Sequence, residues 1–200
     1  MRLKTNLLLT AVLLITSAGL FDVRERTLEI QRYQNEPLQL VDLKISGQSV
    51  KDRIALKTKL SGSDEFTDAL SFPDNDDWYK RVAFRFRNVS GKTIHGVGAE
   101  LFFKPVGERN LYGVQLNAST DLKKKLVEPG DEVELTVNDL RLQPILEMMK
   151  QAGVDVNKCE VSFSLETAVY SEQLRWYRGL LLRPDPSVPN KWIPVNGPQQ

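Results

Sequence analysis

Apolar residues at every second position are the feature of this sequence that most restricts its fold. Val82, Phe84 and Phe86 alternate with Arg85 and Arg87. The same spacing recurs at 41–45, 97–103, 133–137 and 159–165. Successive side chains of a β-strand point to opposite faces of the sheet, so this pattern predicts strands with one buried and one solvated face. The fold is therefore predicted to be mainly β and antiparallel.

Turn residues divide the chain into about seven short strands. Further strands are predicted over 38–45, 54–60 and 111–116. A long loop is predicted over 61–77, which is rich in Ser, Gly, Asp and Pro. The segments 79–104 and 158–183 are each predicted to form a hairpin. This arrangement favours a β-sandwich of the immunoglobulin or fibronectin type, and a small barrel is the alternative.

One short amphipathic helix is predicted over 144–152. Its apolar positions follow the spacing i, i+3, i+4 and i+7, with Ile145, Met148, Met149 and Ala152. Pro144 suits the first helical position, and Gly153 suits the left-handed residue that closes a helix. The apolar stripe predicts that this helix lies on the sheet.

The first residues have the three-part order of a secretory signal peptide. Arg2 and Lys4 precede an apolar run over 7–15, and small residues follow at 16–19. Cleavage is predicted after Ala18 or Gly19, so the protein is expected to be exported to the periplasm or outside the cell. A retained anchor is the alternative, although a bilayer crossing needs about 20 apolar residues. No stable transmembrane segment is expected after cleavage.

These patterns predict four regions along the chain. Residues 1–19 form the signal peptide and 20–37 a linker or short helix. The sandwich domain spans 38–183. Residues 184–200 contain five prolines, so they are predicted to run extended over the surface with Trp192 as an anchor.

Composition argues against a nucleic-acid binder and against a fold that a disulfide stabilises. The chain is 41% hydrophobic and 26% charged, which suits a packed domain, and its formal net charge of +1 disfavours a nucleic-acid binder. Cys159 is the only cysteine, so no intramolecular disulfide can form. Its place in an alternating apolar run predicts a buried structural thiol.

Neither a catalytic constellation nor a metal site is predicted. His95 is the sole histidine and no Gly-x-Ser-x-Gly motif accompanies it, so it is predicted to be a partly buried structural residue. An enzyme that uses His95 as its base is kept as a minor hypothesis. The acidic loop over 74–77, with Asp64 and Glu65, could offer oxygen ligands to Ca²⁺, but it lacks the glycine and closing glutamate of an EF-hand. A solvated loop is favoured, and no cofactor is expected.

The residues predicted to bind a ligand are aromatic and basic. They are Trp78, Tyr79, Arg81, Arg85, Arg87 and Trp192. Trp78 and Trp192 lie in a predicted loop and tail and are interpreted as exposed rings, which could stack on sugars. The arginines share an outward strand face that could hold an anion, although an ordinary solvated face is the safer interpretation. Trp176 is predicted to face the core.

Several short motifs, taken in order, resemble a known group of proteins. The motifs are 76–80 (DDWYK), 87–94 (RNVSGKTI), 126–131 (LVEPGD), Trp176 with Gly179, and 183–186 (RPDP) with Trp192. Over roughly 38–192 the chain resembles uncharacterised exported bacterial proteins, found especially in acidobacteria and their relatives, that have an immunoglobulin-like sandwich. The resemblance implies that fold but supplies no activity, cofactor or catalytic residue. One departure is that 171–175 (SEQLR) stands where the group has an Asp-Gly turn.

These observations predict an exported, non-enzymatic β-sandwich protein that binds or scaffolds through contacts with an unidentified protein. The export signal, the strand pattern and the missing catalytic set support this prediction. Binding of a carbohydrate or a cell-envelope polymer through the exposed rings and the arginine face is the alternative.

Overall fold

The computed structural model describes residues 25–59, 65–73, 77–118 and 126–195, and the predicted signal peptide at 1–19 lies outside them. The described residues form thirteen strands and one α-helix. The strands are β1 (Glu25–Tyr33), β2 (Leu38–Ile45), β3 (Gln48–Ser49), β4 (Ile54–Lys59), β5 (Glu65–Pro73), β6 (Val82–Asn88), β7 (Ile94–Pro105), β8 (Tyr112–Ala118), β9 (Glu132–Val137), β10 (Cys159–Tyr170), β11 (Arg175–Tyr177), β12 (Leu180–Pro184) and β13 (Trp192–Pro194). The helix is α1 (Asp139–Gln151). The prediction of a mainly antiparallel β fold is confirmed.

All thirteen described strands belong to one open hydrogen-bonded sheet. Its main path runs β13-β12-β11-β10-β7-β8-β9-β6-β2-β3. Strand β1 pairs with β10 in parallel and with β5 in antiparallel register, and β4 pairs with β5. The parallel pair joins the first described strand to a strand far along the chain.

The sheet curves strongly, so strands that are distant along its path face each other. The Phe84 ring of β6 stacks on the Phe163 ring of β10, with 3.9 Å between ring centroids, although β7, β8 and β9 separate the two strands in the sheet. Phe86 lies 5.8 Å from Phe163 in the same way. The core therefore fills the concave side of the curved sheet, where these three rings are buried.

The order of the strands corrects two predictions. The segment 79–104 is not a hairpin, because β6 pairs with β2 and β9 whereas β7 pairs with β10 and β8. The buried Asn88 holds the connection between β6 and β7, where its amide donates to the carbonyls of Lys92 (2.7 Å) and Val127 (2.9 Å). The predicted loop at 61–77 is also wrong over Glu65–Pro73, since β5 pairs along the whole length of β1.

The predicted linker or short helix at 20–37 is wrong over Glu25–Tyr33, which forms β1. Leu28 and Ile30 face the core beside Val161 and Phe163 of β10. The buried Arg26 continues the same face, and its guanidinium lies 5.6 Å from the Trp78 ring centroid. Because Arg26 is charged but occupies a core position, the pattern of apolar residues did not predict this strand.

The helix is longer than predicted, and of its predicted apolar residues Met149 is buried and Ile145 packs against the core. It begins at Asp139, where the Asn138 side chain accepts a hydrogen bond from the Leu140 N–H (2.8 Å), and Pro144 lies inside it rather than at its start. Leu142 and Met149 are buried, whereas the predicted core residues Met148 and Ala152 are exposed. Among the described residues, no helix has both the length and the apolarity that crossing a membrane requires.

The proline-rich tail at 184–200 contains regular structure, which corrects the prediction of an extended tail. Strands β12 and β13 pair, with Pro184 opposite Trp192 and Leu182 opposite Pro194. Proline is tolerated here because β13 is the last strand of the main path, so Pro194 needs no N–H donor on its outer edge. The predicted final hairpin is confirmed for β10 and β11. Its second arm divides at Arg178 and Gly179, which both have positive φ and form the turn into β12.

Candidate functional site

The structure places two of the predicted ligand-binding rings in the core. Trp78 is fully buried and lies 5.0 Å from the Phe72 ring centroid. Tyr79 is also buried, 5.9 Å from the Phe103 ring centroid. The interpretation of Trp78 as an exposed ring is wrong, because a 3-10 turn over Trp78–Arg81 directs both aromatic side chains inward.

The predicted arginine face is neutralised by neighbouring carboxylates. Arg85 pairs with Asp42 of β2 (3.2 Å) and with Glu132 of β9 (3.6 Å). Arg87 pairs with the same Glu132 (2.7 Å). Arg81 is exposed at the end of the 3-10 turn, outside this network. Ionic pairing across three strands therefore accounts for Arg85 and Arg87 without an external anion.

Trp192, the remaining predicted residue, lies in a different surface, which we call the C-terminal ribbon and define as strands β11, β12 and β13. Residues paired in an antiparallel sheet share a face, as do residues two apart on one strand. By this register the ribbon's outer face consists of Arg175, Tyr177, Leu180, Leu182, Pro184, Trp192 and Pro194. Its inner face contains Trp176, Leu181 and Ile193, and Trp176 is buried as predicted.

The outer face of the ribbon is apolar and open to solvent. Leu180 is 54% exposed and Tyr177 is 39% exposed. Leu182 and Trp192 are half-buried beside them. Contiguous exposed apolar side chains are uncommon on a monomer's surface and mark contact sites.

Arg175 lies on β11, in the row of this face between the Tyr177–Leu180 pair and the Pro184–Trp192 pair. Its guanidinium carbon is 5.7 Å from the Tyr177 ring centroid and 5.9 Å from that of Trp192. Its Nε donates to Thr167 Oγ1 (2.9 Å), and Thr167 Oγ1 in turn donates to the Trp176 carbonyl (2.9 Å). These contacts fix a cation between two aromatic rings.

Arg178 also lies near the Tyr177 ring, but its charge is paired within the protein. Its guanidinium carbon is 5.6 Å from the Tyr177 ring centroid, and its Nε donates to Glu166. The hydrogen bond that Arg178 donates to Glu166 raises the pKa of the guanidinium. Arg178 is thus paired within the protein.

The turn after β1 lies next to the inner face of the ribbon. Glu36 accepts a hydrogen bond from the Tyr33 N–H (2.7 Å) and one from Arg32 Nε (2.5 Å). Tyr33 contacts Trp176 edge to face, at 5.9 Å between centroids. Burial raises the pKa of Glu36, and the nearby Arg32 only partly opposes that effect. A buried carboxylate therefore positions the ring on which the ribbon packs.

The structure does not bring the candidate catalytic and metal-binding residues together in one site. The His95 side chain is exposed, contrary to the prediction of partial burial, and its Nε2 lies 3.0 Å from the Tyr170 carbonyl. Cys159 is buried as predicted, and burial raises the pKa of its thiol, which disfavours the reactive thiolate. No group of three potential metal ligands occurs among the described residues, and 74–76 of the acidic loop lie outside them.

A shallow groove of about 320 Å³ lies beside Cys159, between the starts of β1 and β10. Glu25, Arg26, Lys158 and Glu160 are among its lining residues, so both signs of charge occur there. Arg26 donates to the carbonyls of Asn157 (2.8 Å) and Cys159 (3.4 Å), which is a structural role. The ribbon is a better defined candidate than this groove.

Comparison of the chain with protein-family models, curated proteins and solved structures gives no match. The interpretation of the ribbon therefore depends on its own geometry. Sequence reasoning missed Arg175 and Leu180, although the alternation of Arg175 and Tyr177 around the core residue Trp176 was available as a signal.

Proposed function

We propose that this protein is an exported, non-enzymatic binding module that contacts a protein partner through the outer face of its C-terminal ribbon. The leader pattern at 1–19 supports export. The observation that supports binding most directly is the exposure of Leu180 and Tyr177 on one continuous apolar face with Trp192. Apolar area of this kind gains free energy when a partner removes it from water, at roughly 25 cal/mol per Å².

The proposed architecture is a two-layer sandwich of the immunoglobulin type. The stacking of Phe84 on Phe163 across the concave side of the sheet supports two facing layers. A sandwich of this kind is a rigid support from which strands and loops at its edges present binding residues. The ribbon occupies such an edge.

A protein partner is favoured over a glycan. Sugar-binding platforms offer open aromatic faces, but Trp78, Tyr79 and Trp176 are buried. Guanidinium groups already lie against Tyr177 and Trp192. The aliphatic neighbours Leu180 and Leu182 suit apolar side chains of a protein better than hydroxyl groups.

The test is site-specific photo-crosslinking from position 180 in cells that export the protein, followed by identification and purification of the crosslinked partner. The purified partner should bind the wild-type protein, and Leu180→Asp should weaken binding at least about tenfold, because it places a charge in an apolar contact. Leu140→Asp is the matched control, since Leu140 is 85% exposed on α1, far from the ribbon in the chain. Equal loss in both variants, or crosslinking from 140 and not from 180, would contradict the proposal.

A further inference from the structure

We infer that the outer face of the ribbon recognises a protein segment in which a carboxylate is flanked by apolar side chains, and that Arg175 binds the carboxylate. This inference rests on the proposed function and specifies the chemistry of the partner. Three features support it: the charge of Arg175, the pairing of the nearby acids, and the apolar residues on either side.

The charge of Arg175 has no counterion within the described part of the chain. No carboxylate there lies within ion-pair distance of its guanidinium, although the side chain is half-buried between Tyr177 and Trp192. A guanidinium has five N–H donors, and in the described residues only Nε is engaged, by Thr167. Both terminal nitrogens thus remain available for the two-pronged contact that arginine makes with a carboxylate.

The acidic residues nearest in the chain are already engaged. Glu172 accepts a hydrogen bond from Lys92 Nζ (2.6 Å). Asp185 pairs with Lys191 (3.3 Å), and the Ser187 N–H holds the pKa of Asp185 below its usual range. Glu166 pairs with Arg178. A rearrangement that supplied Arg175 with an internal partner would therefore have to break one of these pairs.

Apolar side chains border Arg175 across the ribbon. Leu182 is its direct neighbour on β12, and Pro194 is the next residue across on β13. Tyr177 with Leu180 and Trp192 with Pro184 are the adjacent cross-strand pairs. A partner segment that presents one carboxylate between apolar residues would place the carboxylate on Arg175 and its apolar residues on these flanking pairs.

The partner is expected to lie on the face of the ribbon and not to extend the sheet at its edge. β13 has only three residues, and Pro194 lacks the N–H that an added strand would use. The partner is therefore bound by side chains, with Arg175 contacting its carboxylate and the neighbouring apolar residues contacting its apolar side chains. Such a contact, shielded from water by its rim, is typical of the residues that dominate binding energy.

The experiment selects peptides from a random displayed library on the wild-type protein, with prior depletion on the Leu180→Asp variant. We expect the enriched peptides to share Asp or Glu next to apolar residues. The strongest peptide is then synthesised with its acid and with the matching amide, and both are titrated against wild type, Arg175→Gln and Arg183→Gln. Arg183 is the matched control because it is exposed and lies on the ribbon's other face.

The acidic peptide should bind wild type and Arg183→Gln about tenfold more tightly than the amide peptide, as is usual for a charge-assisted contact. On Arg175→Gln the two peptides should agree within about twofold. Enriched peptides without an acidic preference, or a preference that survives Arg175→Gln, would overturn this inference and leave the proposed function standing. No enrichment over the depleted library, with binding of oligouronates instead, would overturn both.

Discussion

Two regions of this protein carry large aromatic side chains in opposite surroundings. Phe84, Phe86 and Phe163 form a stack that is at most 2% exposed, whereas Tyr177 on the ribbon is 39% exposed. Large apolar residues alternate with others in the strands of the first region, whereas the ribbon carries them on both faces, as in 180–182 (LLL). The sheet curves over the first region, while Leu180 and Tyr177 of the second remain exposed to solvent. Large apolar residues on a strand therefore do not by themselves show which face is buried, because the curvature of the sheet decides whether a face is core or surface.

Strand β11 shows the same contrast between adjacent residues. Trp176 is 2% exposed and packs on Tyr33, whereas Tyr177, next in the chain, faces solvent. The inner side of the ribbon is therefore expected to contribute to stability and its outer side to binding. The following predictions test that division, beginning with the largest expected effect.

Phe163→Ala should reduce the free energy of unfolding by about 3–5 kcal/mol, because it leaves a cavity between two stacked rings. Urea unfolding followed by circular dichroism measures this. Phe163→Leu should cost clearly less, since it refills part of the space. A cost below about 1 kcal/mol for the alanine variant would show that the concave side is loosely packed, and the comparison would fail.

Glu36→Gln should change how stability depends on pH. Because burial raises the pKa of Glu36 from 4.5, the folded protein binds this proton more tightly than the unfolded chain does. The stabilisation is complete below the unfolded pKa and is lost as the pH rises through the folded pKa. The free energy of unfolding of wild type minus that of the variant should therefore fall as the pH rises from below 4.5 through the raised pKa of the folded state. A difference that rises instead would mean that Arg32 outweighs burial.

Trp176→Phe should change the free energy of unfolding by less than about 1 kcal/mol. The buried Trp176 Nε1 has no hydrogen-bond partner among the described residues, so removing it offsets part of the lost packing. Trp176→Ala, which empties the site, should cost several times more. If the phenylalanine variant loses as much as the alanine variant, the indole nitrogen has a role that its present surroundings do not reveal.

Leu180→Asp should have the smallest effect on stability, below about 1 kcal/mol, because the side chain already lies mostly in water. Thermal unfolding of wild type and variant, each without a partner, gives the comparison. A larger loss would indicate that the outer face of the ribbon is covered within the protein itself. It would then be a second core instead of a binding surface.

Much of the fold could be predicted from the sequence where alternation is clean. Strands β2, β6, β7, β9 and β10 follow the predicted segments closely. Strand β1 was missed because Arg26 occupies a core position, and β5 because polar residues surround its inward-facing Leu70 and Phe72. These two segments form strands because they pair with strands that are distant in the chain, although their own sequences alternate only weakly.

The candidate site could be predicted only in part. Of the six residues proposed from the sequence, Trp192 alone lies on the ribbon, because its strand pairs with β12 in a region where prolines argued against structure. Arg175 and Leu180 required knowledge of the turn at Arg178 and Gly179, which sets the register of β11 against β12. A positive φ at a non-glycine residue such as Arg178 is rare enough that no pattern of apolar residues would have indicated it.

The parallel pairing of β1 with β10 determines when this protein can finish folding. Leu28 lies beside Val161, and Arg26 reaches a carbonyl 133 positions later in the chain. Since domains generally form as units during synthesis, the first described strand can complete its pairing with β10 only after most of the polypeptide has been made. Because the loop between β1 and β10 is long, its closure is slow, and we expect a slow final phase in refolding. In that interval the open edge of β1 can pair with a strand of another molecule.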